Sequence, residues 1–306
     1  MKRFAKRFLL LVSPLLATSA LLTSPSQAAT FSSSQGALDL FDFTENFSTT
    51  ESQNLGNVSA VANGGIVNAQ NIKAVANITP NPLEVFTSAT SVANGDSKDY
   101  FGTADATAKI IGNFNVDPGK VFSFNFASAL DLETQIDNPP AENASASGKL
   151  SFFLLDTTNV PQNNLQNFLA DLLSSPSNSI PNNALDFFSL SGNLNTQGGG
   201  DFITSQKSQN VTFTTEDKDF SFGGTQEFAT DFIEGSLQRS FDRKANLTLV
   251  AVRSTQSRVV APEPSLNFAL VLFIGSLVFA AKHRRRGHIK VGGELLEESY
   301  GHKIIE

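Results

Sequence analysis

A run of carboxylates is the part of this chain whose residue types and spacing could bind a metal ion. Asp217 and Asp219 lie close together and Glu227 follows them, and carboxylate oxygens are the ligands that calcium prefers. The pattern departs from an EF-hand, because Phe222 takes the place of the sixth-position glycine and Phe228 that of the twelfth-position glutamate. The three carboxylates are therefore weak candidates for a calcium site in an edge loop, and a solvated charged turn is the favoured interpretation.

Other catalytic residue types are missing from the middle of the chain. Residues 29–261 contain no Cys, His, Met or Trp, and the histidines follow later, at His283, His288 and His302. This excludes His-dependent triads, thiol chemistry and His-ligated zinc or copper from that segment. A carboxylate-based hydrolase remains a remote alternative, because two dozen acidic residues nominate no particular pair. We expect no enzyme activity, no cofactor and no firmly bound metal.

The same segment is acidic and rich in phenylalanine. Residues 29–261 hold 24 Asp and Glu against 12 Lys and Arg, a net charge of −12. Nucleic acid requires clustered Lys and Arg, so it is not an expected partner. The chain has 27 Phe but 2 Tyr, and Tyr100 is the Tyr of this segment. This composition favours an apolar core over a stacking site for sugars, although an extracellular polysaccharide remains a candidate partner.

The N-terminus has the parts of a secretory signal peptide. Four cations within residues 2–7 precede an apolar stretch over residues 8–22, and Ser26 and Ala28 supply small residues at the −3 and −1 positions. We expect signal peptidase to cut after Ala28 and to remove residues 1–28. Pro14 interrupts the apolar stretch, which disfavours a permanent first membrane helix.

Hydrophobic alternation with period two indicates β-strands. Phe122, Phe124 and Phe126 alternate with Val121, Ser123 and Asn125, and residues 149–155, 187–194, 211–214, 220–222 and 246–252 are also strand-like. Turn signals occur at Asn63-Gly64, Asn94-Gly95, Asp117-Pro118-Gly119, Asn138-Pro139-Pro140, Gly198-Gly199-Gly200 and Gly223-Gly224. We predict an all-β exported domain over residues 29–260, an antiparallel, jelly-roll-like β-sandwich.

One segment has helical periodicity instead. Between Asn164 and Ser175, Leu165, Phe168, Leu169 and Leu172 recur at helical spacing, and Pro176 follows. We predict a short amphipathic helix over one end of the sandwich. A partner-binding ridge is the less favoured interpretation of this stripe.

The C-terminal region combines three signals. Pro262, Glu263 and Pro264 lie in a spacer, Ala261 to Ser265, that we expect to be exposed, extended and open to a protease. Residues 266–281 are apolar and as a helix would be about 24 Å long, a marginal transmembrane helix. A stop-transfer cluster follows at Lys282, Arg284, Arg285 and Arg286, and it places the polar tail, residues 287–306, in the cytoplasm.

The order of these signals resembles the PEP-CTERM sorting signal, here residues 261–286. Residues 119–134 and 246–255 also look like cyanobacterial members of that family. The resemblance implies that an exosortase-type membrane protease cuts near Pro262-Glu263-Pro264 and releases the protein or transfers it to the surface. This chain differs from the family's usual pattern in its added tail, residues 287–306.

Two hypotheses of different classes follow. The leading one is a non-enzymatic protein of the cell surface or extracellular matrix, transiently anchored in the membrane and then processed at its C-terminus. The alternative is a permanently membrane-anchored extracytoplasmic binding module for calcium or a glycan.

Overall fold

The computed structural model describes residues 29–97, 99–160 and 184–261 of the chain. Strands make up 79% of these residues, and none of them lies in a helix. The strands are β1 Ala29–Phe41, β2 Thr49–Ala62, β3 Ile66–Pro80, β4 Leu83–Asp96, β5 Tyr100–Val116, β6 Lys120–Gln135, β7 Asn143–Asp156, β8 Ala184–Asn195, β9 Phe202–Lys207, β10 Val211–Ser221, β11 Gln226–Phe241 and β12 Ala245–Ala261.

The described strands form two six-stranded antiparallel sheets. Sheet A has the order β10-β11-β6-β1-β4-β3, and sheet B has the order β2-β5-β12-β7-β8-β9. Buried side chains from both sheets, such as Leu38 and Phe124 of sheet A and Phe152 and Leu249 of sheet B, form one apolar cluster. The predicted all-β fold with packed antiparallel sheets is therefore confirmed, and the jelly-roll-like connectivity stays a prediction.

Phenylalanine fills the space between the sheets, as the alternation in β6 predicts. Phe122, Phe124 and Phe126 are at most 1% exposed, whereas Val121 on the opposite face is 37% exposed. The ring centroids of Phe124 and Phe152 are 5.1 Å apart and meet edge to face, which joins sheet A to sheet B. Such aromatic pairs add about 1 kcal/mol each to the free energy of burial.

Most of the turn signals lie between strands, but one does not. Asn94-Gly95 lies inside β4, where Gly95 is paired with Thr30 of β1. A Cβ on Gly95 would come within 2.0 Å of the Tyr100 ring, so the glycine makes room for an aromatic side chain instead of a turn. The predicted turn at this position is wrong, because glycine inside a strand also marks close approach of a neighbour.

The end of β12 corrects a second prediction. Ala261, expected in the exposed spacer, is 3% exposed and pairs with Tyr100 as the last residue of the strand. Ala261 belongs to the fold because it packs with Val259 and Ala104 in a small apolar cluster.

Several predicted segments lie outside the described residues. They are the signal peptide, the helix predicted between Asn164 and Ser175, the spacer from Pro262 onwards, the transmembrane segment 266–281 and the tail. None of the described residues lies in a helix with the length and hydropathy of a membrane span.

Candidate functional site

The three calcium candidates do not converge. Asp217 and Asp219 of β10 are exposed and pair with Phe232 and Thr230 of β11. Glu227 of β11 pairs with Thr134 and faces the interior, where it is 1% exposed. Because alternate residues of a strand point to opposite faces, Glu227 lies on the other side of the sheet from both aspartates. Among the described residues there is no group of three or more acidic or histidine side chains that could hold a metal ion.

Glu227 instead makes hydrogen bonds within the fold. Its carboxylate accepts hydrogen bonds from the backbone N–H of Gly223, at 2.9 Å, and from Thr134 Oγ1, at 3.1 Å. Gly223 and Gly224 have φ of 86° and 98°, the left-handed region that suits glycine. Burial raises the pKa of Glu227. The carboxylate therefore holds the turn between β10 and β11, a role that sequence spacing alone did not reveal.

A buried aspartate lies further along β11. Asp231 is 1% exposed and pairs with Lys218 of β10 and Leu130 of β6, so it faces the interior. Neither of its carboxylate oxygens has a hydrogen-bond partner among the described residues. Burial, followed by the negative charge of Glu216, raises the pKa of Asp231 to about 6. Nothing in the sequence spacing distinguishes Asp231 from the other acids, so its position could not be predicted.

The outer face of sheet B carries a polar groove of about 580 Å³. The strand register places its side chains in two rows across neighbouring strands, with Asp105, Gln256, Ser147, Asn193 and Phe202 in the first row and Thr107, Ser254, Lys149 and Ser191 in the second. Sequence patterns could not find this groove, because polar outward positions look the same on any solvated face.

Two glycines form the floor of the groove. Gly148 and Gly192 are cross-strand partners, and a Cβ on them would come within 2.5 Å of Leu130 Cδ1 and 2.7 Å of Leu132 Cδ1, respectively. Side chains of sheet A therefore press directly against the backbone of sheet B at this point. The groove is supported from below by the packed core, so its polar rows are held on a rigid surface.

The groove offers hydrogen bonds but no paired catalytic acids. Its lining holds one carboxylate, Asp105, which accepts a hydrogen bond from Gln256 Nε2 at 2.7 Å, and one ammonium, Lys149. Burial lowers the pKa of Lys149. Phe202, 43% exposed, supplies an apolar ring at the end of the first row. Hydroxyl, amide and carboxylate groups beside an exposed ring suit a polyhydroxyl ligand, whereas glycoside hydrolysis needs two carboxylates.

The two ends of the described sandwich lie in central strands and meet at Tyr100. β1, which begins at Ala29, runs between β6 and β4, and β12, which ends at Ala261, runs between β5 and β7. Tyr100 pairs with Ala261 and shares a hydrogen bond with the Thr30 hydroxyl. Burial raises the pKa of Tyr100 to about 12. Both ends of the sandwich are therefore at the same end of the fold.

The residues of the predicted processing signals lie outside the described residues. They are Ala28, Pro262, Glu263, Pro264, Lys282, Arg284, Arg285 and Arg286. The adjacent described residue, Ala29, donates a backbone hydrogen bond to Asp137 Oδ2 at 3.2 Å.

Arg253 of β12 is an unusual buried group. It is 0% exposed, and none of its three guanidinium nitrogens has a hydrogen-bond partner among the described residues. Its Nη2 lies 3.2 Å from the place that a Cβ on Gly36 would take, so the side chain crosses from sheet B to sheet A. Burial holds the pKa of Arg253 well below its usual range.

No protein-family model matches this chain, and no curated protein matches it. Among solved structures, the crystal structure of the lysenin pore aligns with 71% of this chain and 98% of its own chain, at 10% sequence identity and a TM-score of 0.10. A TM-score this low supports no inference about fold or function.

Proposed function

We propose that residues 29–261 are an exported β-sandwich that is cut at both ends and serves as a non-enzymatic structural or interaction protein of the cell surface or extracellular matrix. Signal peptidase removes residues 1–28. An exosortase-type protease acts near Pro262-Glu263-Pro264 while residues 266–281 hold the chain in the membrane and the cluster from Lys282 to Arg286 stops its transfer.

The burial of the first and last described strands supports this proposal most strongly. The predicted cut sites, after Ala28 and near Pro262-Glu263-Pro264, lie outside β1 and β12. Both strands are central, so a cut within either strand would remove buried residues such as Val259. Cuts at the two predicted sites leave every described strand whole.

The meeting of both ends at Tyr100 supports the same proposal. The Thr30 hydroxyl and Ala261 both contact Tyr100, so the chain enters and leaves the sandwich at one end. The two membrane-directed segments therefore join the sandwich at the same end. This arrangement suits a protein that is tethered during export and then released.

Mass spectrometry of the chain's ends in a host with an exosortase tests the proposal. We expect surface or secreted protein that begins at Ala29 and ends near Pro262, and full-length C-termini when the exosortase is deleted. Replacement of Pro262, Glu263 and Pro264 together by alanine should retain the protein in the membrane, whereas the control Asn267→Ala should not. Surface protein with residues 287–306 still attached, unaffected by the deletion, would contradict the proposal.

A glycan-binding module is the second candidate function, and the groove on sheet B favours it. Its rows of amide and hydroxyl side chains lie on a rigid floor beside Phe202. The calcium version of this hypothesis gains no such support, because Asp217 and Asp219 face away from Glu227.

Affinity electrophoresis in gels containing the host's extracellular polysaccharide tests this second candidate. We expect the chain to be retarded and the retardation to be lost in the double variant Asn193→Ala, Gln256→Ala. Asn68→Ala, an exposed amide on β3 of sheet A, is the control and should leave mobility unchanged. Equal mobility of all forms with and without the polysaccharide would exclude the groove as a glycan site.

A further inference from the structure

The described strands leave four sheet edges, and three of them carry features that prevent pairing with another strand. Sheet A ends in β10 and β3, and sheet B ends in β2 and β9. β10 has a bulge after Phe213 and four consecutive charges from Glu216 to Asp219, and β3 has a bulge before Lys73 and ends in Pro80. β9 has six residues and ends in Lys207. Charges, bulges, proline and short length are the usual protections of a sheet edge.

β2 lacks all of these protections. It has 14 residues, contains no proline and has one charged residue, Glu51, near its start. Its pairing with β5 runs from Thr49 to Ala62 without a shift in register. All of its residues are exposed, and the apolar side chains of Leu55, Val58 and Val61 are 51%, 44% and 59% exposed. An exposed, long, regular and nearly uncharged edge strand is a template for another strand.

The backbone groups that face the open edge can be identified. Asn63 N donates to Asp99 O at 3.0 Å, in continuation of the register between β2 and β5. Because N–H and C=O of one residue point to the same side and alternate along a strand, the odd-numbered residues of β2 bond to β5. The even-numbered residues, from Thr50 to Ala62, direct their N–H and C=O groups to the open edge.

We propose that β2 pairs antiparallel with β2 of a second copy of this chain, about a two-fold axis at Leu55. This register places the even-numbered residues in hydrogen-bonded pairs and the odd-numbered residues in the closer, non-hydrogen-bonded pairs. Leu55 then lies opposite Leu55 of the other copy, and Glu51 lies opposite Ser59, so no like charges meet. Sheet B continues from one copy into the next.

The charge distribution favours a second copy over a charged partner. Residues 29–261 carry −12, yet β2 carries a single charge, so β2 offers nothing that would select a basic ligand. Two copies repel each other over the rest of their surfaces, and salt screens that repulsion. Self-association through β2 therefore strengthens as salt concentration rises, whereas binding to an oppositely charged partner would weaken. The pairing holds whether or not the chain is exported.

Sedimentation of the full chain in detergent tests the proposal. Micelles are kept in excess over chains, so that two chains do not share a micelle by chance. We expect a monomer–dimer equilibrium whose dimer fraction rises with salt. Leu55→Lys should weaken the dimer at least tenfold, because it places two ammonium groups opposite each other. Phe220→Lys is the matched control, since Phe220 is 50% exposed on the protected edge β10, and it should leave the equilibrium unchanged. A monomer at every concentration, or equal effects of both variants, would overturn the proposal.

Single cysteines give a second measurement that does not depend on a destabilising change. The chain has no Cys, so each introduced thiol reports its own position. Non-hydrogen-bonded partners have Cα atoms about 4.5 Å apart, within the range of a disulfide. Leu55→Cys should therefore form a disulfide dimer on oxidation, whereas Asn57→Cys, which lies opposite Gln53 in this register, should form one far more slowly. Equal rates, or faster crosslinking at position 57, would contradict the axis at Leu55.

Discussion

Strands β2 and β12 flank the same strand, β5, and differ almost completely in burial. Both form long antiparallel ladders with β5 without a shift in register. Alternate residues of β12 face the core, and Leu247, Leu249 and Arg253 are at most 1% exposed. Every residue of β2, in contrast, is exposed. The comparison shows that a hydrogen-bond ladder defines a strand, while burial determines how much that strand stabilises the fold.

Truncating one leucine in each strand is the most direct way to break the comparison. Leu249→Ala should lower the free energy of unfolding by about 3 kcal/mol, because it removes buried methyl groups and leaves a cavity. Leu55→Ala should lower it by less than about 0.5 kcal/mol, as expected for a surface position. Urea denaturation at low protein concentration, where dimers are absent, measures both. Similar losses would mean that β2 is covered in solution.

Arg253 provides the opposite test, because here burial within β12 is expected to destabilise. An unpaired buried charge costs several kcal/mol, and apolar replacement of buried ionic groups often stabilises a protein. Arg253→Met should therefore raise the free energy of unfolding by about 2 to 3 kcal/mol.

Arg258→Met is the matched control for this change on the same strand. Arg258 is exposed and its guanidinium lies 5.3 Å from the centre of the Phe101 ring. Its replacement should cost about 0.5 kcal/mol through the lost cation–π contact. If thermal unfolding shows that Arg253→Met is less stable than Arg258→Met, the buried guanidinium of Arg253 has stabilising partners.

The same contrast explains what the sequence could and could not predict. Phe122, Phe124 and Phe126 revealed β6 because one face of that strand is buried against apolar neighbours. β2 gave no alternation because neither of its faces is buried. In β4 and β5, small residues such as Ala93 and Ala104 fill the space between the sheets, so the apolar pattern is weak. For this reason the apolar pattern predicts no strand before residue 121.

The candidate sites were less predictable than the core. Asp217, Asp219 and Glu227 are close in sequence, but a hairpin and the alternation of side chains separate Glu227 from the two aspartates. The groove depends on the register of five strands, which no local pattern encodes. The predicted cut sites, in contrast, come from motifs that lie outside the described strands.

In sheet A, buried and exposed residues can be compared through the pH dependence of stability, and Asp231 is the buried residue. Its pKa of about 6 is raised above the ordinary aspartate value of 3.8, so the folded state binds the proton more tightly than the unfolded state. The contribution to stability is fully present below about pH 4 and is lost as pH rises through 6, a change of about 2 kcal/mol. Asp231→Asn should remove this part of the pH dependence.

Asp219→Asn is the control for this prediction, because Asp219 is exposed on the outer face of β10. Denaturation measured between pH 4 and pH 7.5 gives the slope of the free energy of unfolding against pH. This slope should be retained in Asp219→Asn and lost in Asp231→Asn. A retained slope in Asp231→Asn would assign the titration to other buried acids such as Glu227, Asp131 and Glu133, whose pKa values burial also raises.

The smallest expected effect links the first residue of β1 to processing. Ala29 N lies 3.2 Å from Asp137 Oδ2, and cleavage after Ala28 would turn that amide into an ammonium group beside a carboxylate. An exposed ion pair of this kind is worth about 0.5 kcal/mol. An α-amino group titrates near pH 8, and a carboxylate partner raises that pKa, so the added stability is present at pH 7 and is lost as pH rises towards 9.5.

Asp137→Asn should therefore lower the melting temperature of the processed protein slightly at pH 7 and not at pH 9.5. It should have no effect on the unprocessed chain. Asp117→Asn, in the turn after β5, is the control and should change neither melting temperature. An equal effect in the unprocessed chain would show that Asp137 stabilises the start of β1 through its backbone hydrogen bond, with no contribution from a free amino terminus.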